Sequence, residues 1–140
     1  MRNEAHIRTS VAVIANLTPF RSPSADVGTV YEIGFARALG LPVFGYTNTA
    51  QKFTRRTIDF ASANGGANAE AGRILRDADG LLVEQFGLVE NLMIEAGIVG
   101  SLGALVLPET EPADRWADLA TFERCVRIAA AALSGTGRTE

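Results

Sequence analysis

The chain is poor in the residues that build sites from sulfur, imidazole or excess positive charge. One cysteine, Cys125, and one histidine, His6, exclude an internal disulfide framework and a Cys/His zinc module, since both need several such side chains to converge. With 13 Lys+Arg against 16 Asp+Glu, a formal charge of −3 and no basic run, it carries no electrostatic footprint for nucleic acid or an anionic membrane. Long apolar runs are missing too. Val11 to Leu17 is broken by Asn16, falls far short of the roughly 20 residues of a membrane span, and has no signal-peptide cleavage region after it. The expectation is a protein of a reducing, cytoplasmic setting with neither nucleic acid nor membrane as partner. What is present is ordinary. At 140 residues, 47% hydrophobic and 21% charged, the chain suffices for a single domain over 1–140 with its own core.

The order of patterns spells an α/β chain. Arg2 to Arg8 is polar around Ile7 and fits the end of a helix. Val11 to Ala15 is a continuous apolar, β-branched run, which predicts a strand buried on both faces, as in parallel sheets. Two prolines and three hydroxyl residues between Thr18 and Ala25 then impose a loop. Helical spacing from Val30 ends at Gly40, and Leu41 to Tyr46 reads as a second buried strand, completing a βαβ unit. Thr47 to Asp79 is polar and small, which predicts an exposed excursion around Asn64-Gly-Gly66 with short helices near Phe53–Phe60 and Glu70–Leu75. Val83 to Leu88 is a short mixed segment. A helix from Glu90 to Gly100, a strand over Ala104–Leu107 and a closing helix over Ala117–Leu133 follow. The last helix carries an apolar stripe of Leu119, Phe122, Val126, Ala129 and Leu133.

Chemistry concentrates in Asp26-Val-Gly-Thr-Val-Tyr-Glu-Ile-Gly34, placed after the first strand at the sheet edge where open α/β folds bind ligands. Gly28 lets the backbone approach a ligand. A helix N-terminus would favour Glu32 as an anion suited to nucleophilic attack. Two carboxylates near one anomeric carbon would suit retaining glycosyl transfer. The same residues also fit a purely structural reading, a capping box in which Thr29 caps the helix and Glu32 reaches back to its amide.

Three ordered blocks bear on that choice: Ala15-Asn-Leu-Thr-Pro-Phe-Arg21, Asp26 to Phe44, and Val83-Glu-Gln-Phe-Gly-Leu-Val-Glu-Asn-Leu-Met93. Together they resemble the nucleoside 2-deoxyribosyltransferase family from about Asn3 to Met93. The resemblance implies a flavodoxin-like three-layer αβα sandwich with a parallel sheet and a homo-oligomer. It also implies exchange of the base of a 2′-deoxynucleoside for a free nucleobase through a covalent deoxyribosyl-enzyme, in nucleoside salvage, with no metal or organic cofactor. By the same resemblance Glu32 is the nucleophile and Asp26 a substrate contact beside Gly28. Asn91 and Met93 reach a neighbouring subunit's pocket, and Asn3 lies near the base. A related branch that hydrolyses deoxynucleoside 5′-monophosphates has a small hydroxyl residue where this chain has Asp26. A carboxylate there would repel a phosphate, so Asp26 points to nucleosides. Family members carry a strand, loop and helix ahead of the region matching Asn3, which makes this an N-terminally shortened version. They also enter the first strand on an acidic residue, where this chain has Val11.

Other residues carry simpler readings. His6 reads as a surface residue, Cys125 as a small residue packed beside the last helix's stripe, and Arg55-Arg56 as part of a solvated loop, with a phosphate contact the lesser alternative. Phe20 either stacks on a base or packs its loop, and Glu84 has no assigned step. Alternatives to the transferase are an N-glycosidase using the same glutamate with water, and a catalytically incomplete nucleoside-binding homologue. With no earlier strand beside it, the Val11–Ala15 edge should be protected by subunit contacts or local rearrangement.

Overall fold

The computed structural model describes residues 2–64, 75–77 and 79–135. Three parallel strands, β1 (Val13–Asn16), β2 (Val43–Tyr46) and β3 (Leu105–Val106), lie in the order β1-β2-β3. Val13 stands opposite Val43, and Gly45 opposite Leu105. The helices are α1 (Arg2–Arg8), α2 (Val27–Ala38), α3 (Phe53–Ala63), α4 (Leu92–Val99) and α5 (Ala120–Gly135).

Alternation along β2 divides the core. Val43 joins Ala15, Leu17, Ile33, Ala36, Ile94 and Ile98 on one side, whereas Phe44 joins Val106, Cys125 and Ala129 on the other. Successive side chains of a strand face opposite ways, so these clusters are the two faces of one sheet, covered by α2 and α4 on one and by α5 on the other. That is the three-layer αβα arrangement expected. Burying Phe44 alone is worth about 1.5–3 kcal/mol. α4 packs directly onto backbone at Gly45, where a Cβ would come within 2.8 Å of Ile98 Cδ1. The stop expected at Gly40 is also present. Gly40 takes φ +77°, its N–H donates to Arg37 O and that of Leu41 to Ala36 O, a paired closure of the α2 C-terminus.

Four expectations need correction. β1 is not buried on both faces: Ala15 is, but Ile14 is 39% and Val11 73% exposed, because the second core centres on Phe44 and Val106 and leaves β1 at the margin. Among the described residues β1 pairs only with β2. The buried stripe of α5 is Thr121, Cys125 and Ala129, so Cys125 lies at its centre while Leu119 and Val126 are exposed; small side chains let the helix approach the sheet. Thr47, Asn48 and Thr49 open the polar excursion yet are buried, tied by Asn48 Nδ2 to Arg115 O and Asp118 O and by Thr49 Oγ1 to Glu111. Finally, Arg56 lies on α3, 6% exposed, rather than in a solvated loop, while Arg55 is exposed and paired with Asp59 at 2.9 Å. The glycine turn and most of the Glu70–Leu75 segment lie outside the described residues. No described helix is long and apolar enough to cross a membrane.

Candidate active site

The start of α2 sets the geometry. Asp26 is extended and caps the helix, its Oδ2 accepting the Gly28 N–H at 3.1 Å. A Cβ at Gly28 would stand 3.0 Å from that same oxygen, so glycine leaves room for the cap. Arg21 adds an ion pair to Asp26 at 3.5 Å. With Asp26 as the cap, Thr29 is already helical and the Thr29–Glu32 capping box does not form. Glu32 sits in the second turn, beyond the reach of the helix dipole expected to hold it. What fixes Glu32 instead is α1: Asn3 Nδ2 donates to Glu32 Oε1 at 2.7 Å.

α1 lies along α2 and the seam between them is a cleft. Ile7 is buried beneath it, the Tyr31 hydroxyl donates to Glu4, and Arg8 lies 4.8 Å over the Phe35 ring, itself stacked with Tyr31. The Tyr31 hydroxyl holds the Glu4 carboxyl below its ordinary range, and Glu4 in turn pushes the Tyr31 phenol up. A cavity of about 220 Å³ opens here, lined by Asn3, Glu4, Ile7, Gly28, Tyr31 and Glu32. Glu32 is half-buried in it, one oxygen held by Asn3 and the other unbonded among the described residues. A carboxylate so presented can attack an electrophilic carbon without first breaking its own anchor.

The loop leading to Asp26 is held from behind by groups the sequence did not announce. Glu90, 2% exposed, accepts from Ser24 Oγ at 2.6 Å, Ala25 N at 3.2 Å and Asn91 N at 2.9 Å, and pairs with Arg56 at 3.1 Å. Arg56 also donates to Pro23 O at 2.7 Å and Gln51 O at 2.9 Å. Burial lowers the pKa of Arg56; Glu90 opposes that shift and nearby Arg115 adds to it. Glu84 gains a role as well, accepting from Asn91 Nδ2 at 2.6 Å and Leu92 N at 3.1 Å at the start of α4. The links from Glu90 to Ser24, Ala25 and Arg56, and from Arg56 to Pro23, join residues tens of positions apart in sequence. The only available signal was that Glu84 and Glu90 both fall in the block ending at Met93.

The expected site residues fall in four places. Asn3, Gly28 and Glu32 share the seam cavity. Asp26 caps α2 beside that cavity without lining it; the carboxylates that line it are Glu32 and Glu4. Asn91 caps α4 by accepting the Met93 N–H at 2.9 Å, and Met93 projects 73% exposed. Phe20, 54% exposed under the Arg21 guanidinium, lines a separate cleft. His6 is exposed on α1, and burial pushes the Cys125 thiol up to about 11. Among the described residues no group of three or more His, Cys, Asp or Glu could hold a metal ion.

Comparison with known proteins bears on this arrangement. A curated protein of Schizosaccharomyces pombe, described as uncharacterized, is 29% identical over 102 residues, covering 64% of this chain and 46% of that protein. The solved structure of a 2-desoxiribosyltransferase from Leishmania mexicana is similar with a TM-score of 0.50 and 28% identity, over 90% of this chain and 64% of that one. The chain thus spans less than two thirds of either relative. The family model for nucleoside 2-deoxyribosyltransferase matches residues 1–93, from α1 through the α2 start to Asn91 and Met93, and on that match the chain belongs to the nucleoside 2-deoxyribosyltransferase family.

Proposed function

We propose that the chain transfers 2-deoxyribose from a 2′-deoxynucleoside to a free nucleobase, with Glu32 as nucleophile. The observation that carries this reading is the half-buried Glu32 carboxylate, anchored through one oxygen by Asn3 and open at the other, in a cleft within the family-matched segment. Glu32 Oε2 attacks C1′ and the C1′–N bond breaks. Its electron pair leaves with the base, which takes up a proton, and a deoxyribosyl ester remains on Glu32. A nitrogen of the second base then attacks C1′, releasing the carboxylate and losing its proton. Every atom is accounted for without a metal or organic cofactor. The absent 2′-hydroxyl favours this route, because no electron-withdrawing oxygen opposes positive charge at C1′ in the transition state.

The carboxylate of Asp26 at the α2 cap, beside the cavity and paired with Arg21, in place of the small hydroxyl residue of the monophosphate-hydrolysing branch, supports nucleosides as substrates. The outward projection of Met93 from the α4 start supports a homo-oligomer in which Asn91 and Met93 complete a neighbour's site. The exposed setting of the Asn3–Glu32 bond favours a second reading, with water as acceptor and the enzyme an N-glycosidase. One assay separates the outcomes. Incubation with a deoxynucleoside and a second base should yield the exchanged nucleoside with wild type and none with Glu32→Ala. Free deoxyribose without added base would favour hydrolysis, and equal exchange by both proteins would overturn Glu32 as nucleophile.

A further inference from the structure

A second cleft, of about 270 Å³, opens on the other side of the loop that carries Asp26. Its lining comes from the chain following all three strands: Pro19 to Pro23 after β1, Gln51 and α3 after β2, Arg115 and Trp116 after β3. That is the edge at which open parallel sheets bind ligands. Phe20, Phe60 and Trp116 are 54%, 46% and 64% exposed, an unusual concentration of uncovered rings in a chain that is 7% aromatic. Contiguous exposed apolar surface of this kind marks a binding surface.

The rings are accompanied by cations. Arg21 lies 4.7 Å over the Phe20 ring and Arg115 5.8 Å from the Trp116 ring. Arg115 has no carboxylate partner among the described residues, and its charge is felt at Arg56, which lines the same cleft. The one acidic residue of the lining, Asp59, is already engaged by Arg55 at 2.9 Å and by Gln51 Nε2 at 2.9 Å. Arg56 is neutralised by Glu90, so Arg115 remains as surplus positive charge beside flat apolar rings.

Two buried polar side chains hold the cleft open before any ligand arrives. Arg56 ties Pro23 to Gln51 through their carbonyl oxygens, and Asn48, 3% exposed, fixes the carbonyl of Arg115 at 2.8 Å. Preformed walls reduce the ordering cost of binding. We propose that this cleft binds a planar aromatic ring carrying an anionic group, the chemistry of a nucleoside 5′-monophosphate, with the ring stacked among Phe20, Phe60 and Trp116 and the anion on Arg115. Stacked rings and a guanidinium–phosphate contact are complementary to these groups. The overall charge of −3 opposes a polyanion, which leaves a single nucleotide as the matching unit. This site does not use Glu32 and stands independently of the chemistry proposed there.

Trp116 is the only tryptophan of the chain, so its fluorescence reads this cleft directly. The full chain is titrated with 2′-deoxyadenosine 5′-monophosphate, with deoxyadenosine and inorganic phosphate as controls, and the series is repeated in Arg115→Gln and Glu32→Gln. Saturable quenching by the monophosphate is expected, at least about tenfold weaker for deoxyadenosine, absent for phosphate alone, weakened about tenfold in Arg115→Gln and unchanged in Glu32→Gln. Arg115 is exposed, so an unchanged urea midpoint in that variant excludes misfolding. No saturable quenching, equal response to deoxyadenosine, indifference to Arg115→Gln, or loss in Glu32→Gln would each overturn the proposal.

Discussion

The two sides of the loop from Leu17 to Asp26 are built differently. On the Glu32 side, α1 and α2 meet through exposed contacts: Asn3 to Glu32, Tyr31 to Glu4, Arg8 over Phe35. On the Glu90 side, a buried ion pair and three further hydrogen bonds, at Pro23, Ser24 and Ala25, lock the loop to Arg56 on α3 and to Glu90 just ahead of α4. Exposed pairs add little to stability, whereas breaking a buried pair leaves an uncompensated charge. Rigidity is thus concentrated behind the loop, and the Glu32 carboxylate is presented from a seam held by exposed contacts.

Arg56→Ala should test that contrast most severely. It strands Glu90 in the interior and is expected to cost about 3–5 kcal/mol in urea unfolding, while Arg56→Met with Glu90→Leu should recover most of the loss. A cost below about 1 kcal/mol would mean that the buried clamp does not hold the loop. Asn3→Ala should do the reverse, leaving the unfolding free energy within about 0.5 kcal/mol but lowering base exchange about tenfold, in kcal/mol terms the worth of one charge-assisted bond. That loss should fall on kcat rather than KM, with partial rescue in Asn3→Gln; a destabilised Asn3→Ala with unchanged exchange would reverse the roles of the two sides.

The smallest effect concerns pH. Glu4 is held below its ordinary value of 4.5 by Tyr31, so its share of the α1–α2 contact is complete above pH 4.5 and is lost as pH falls through the lowered folded value. Tyr31 is raised above 10.0, so its share is complete below pH 10.0 and is lost as pH rises through the raised value. Protection of the α1 amides, taken relative to their intrinsic exchange rate at each pH, should therefore be greatest between these limits, and Tyr31→Phe should flatten the profile.

Much of the fold was legible because it rests on local pattern. The Val43–Tyr46 run, the Gly40 stop and the strand before Pro108 are signalled within a few residues of themselves. The edge position of β1 was anticipated, but its exposed face was not, because an apolar run such as Val11 to Ala15 does not say whether helices cover both faces. Nor was the buried state of Arg56 and Thr47 to Thr49, whose partners are Glu90 and the 111–118 segment, far along the chain. At the candidate site, three residues that the sequence brought forward, Asn3, Gly28 and Glu32, line one cavity. Local pattern assigned the cap to Thr29 rather than Asp26, since both carry suitable side-chain oxygens and only backbone conformation separates them.

The central claim is that Glu32 carries deoxyribose covalently. Wild-type protein mixed briefly with a 2′-deoxynucleoside, without acceptor base, and quenched in acid should show one added deoxyribosyl group by intact mass. Peptide mapping should locate it on Glu32, and Glu32→Gln should show none. An adduct on another residue, or base exchange by a protein in which Glu32 never becomes modified, would contradict the claim.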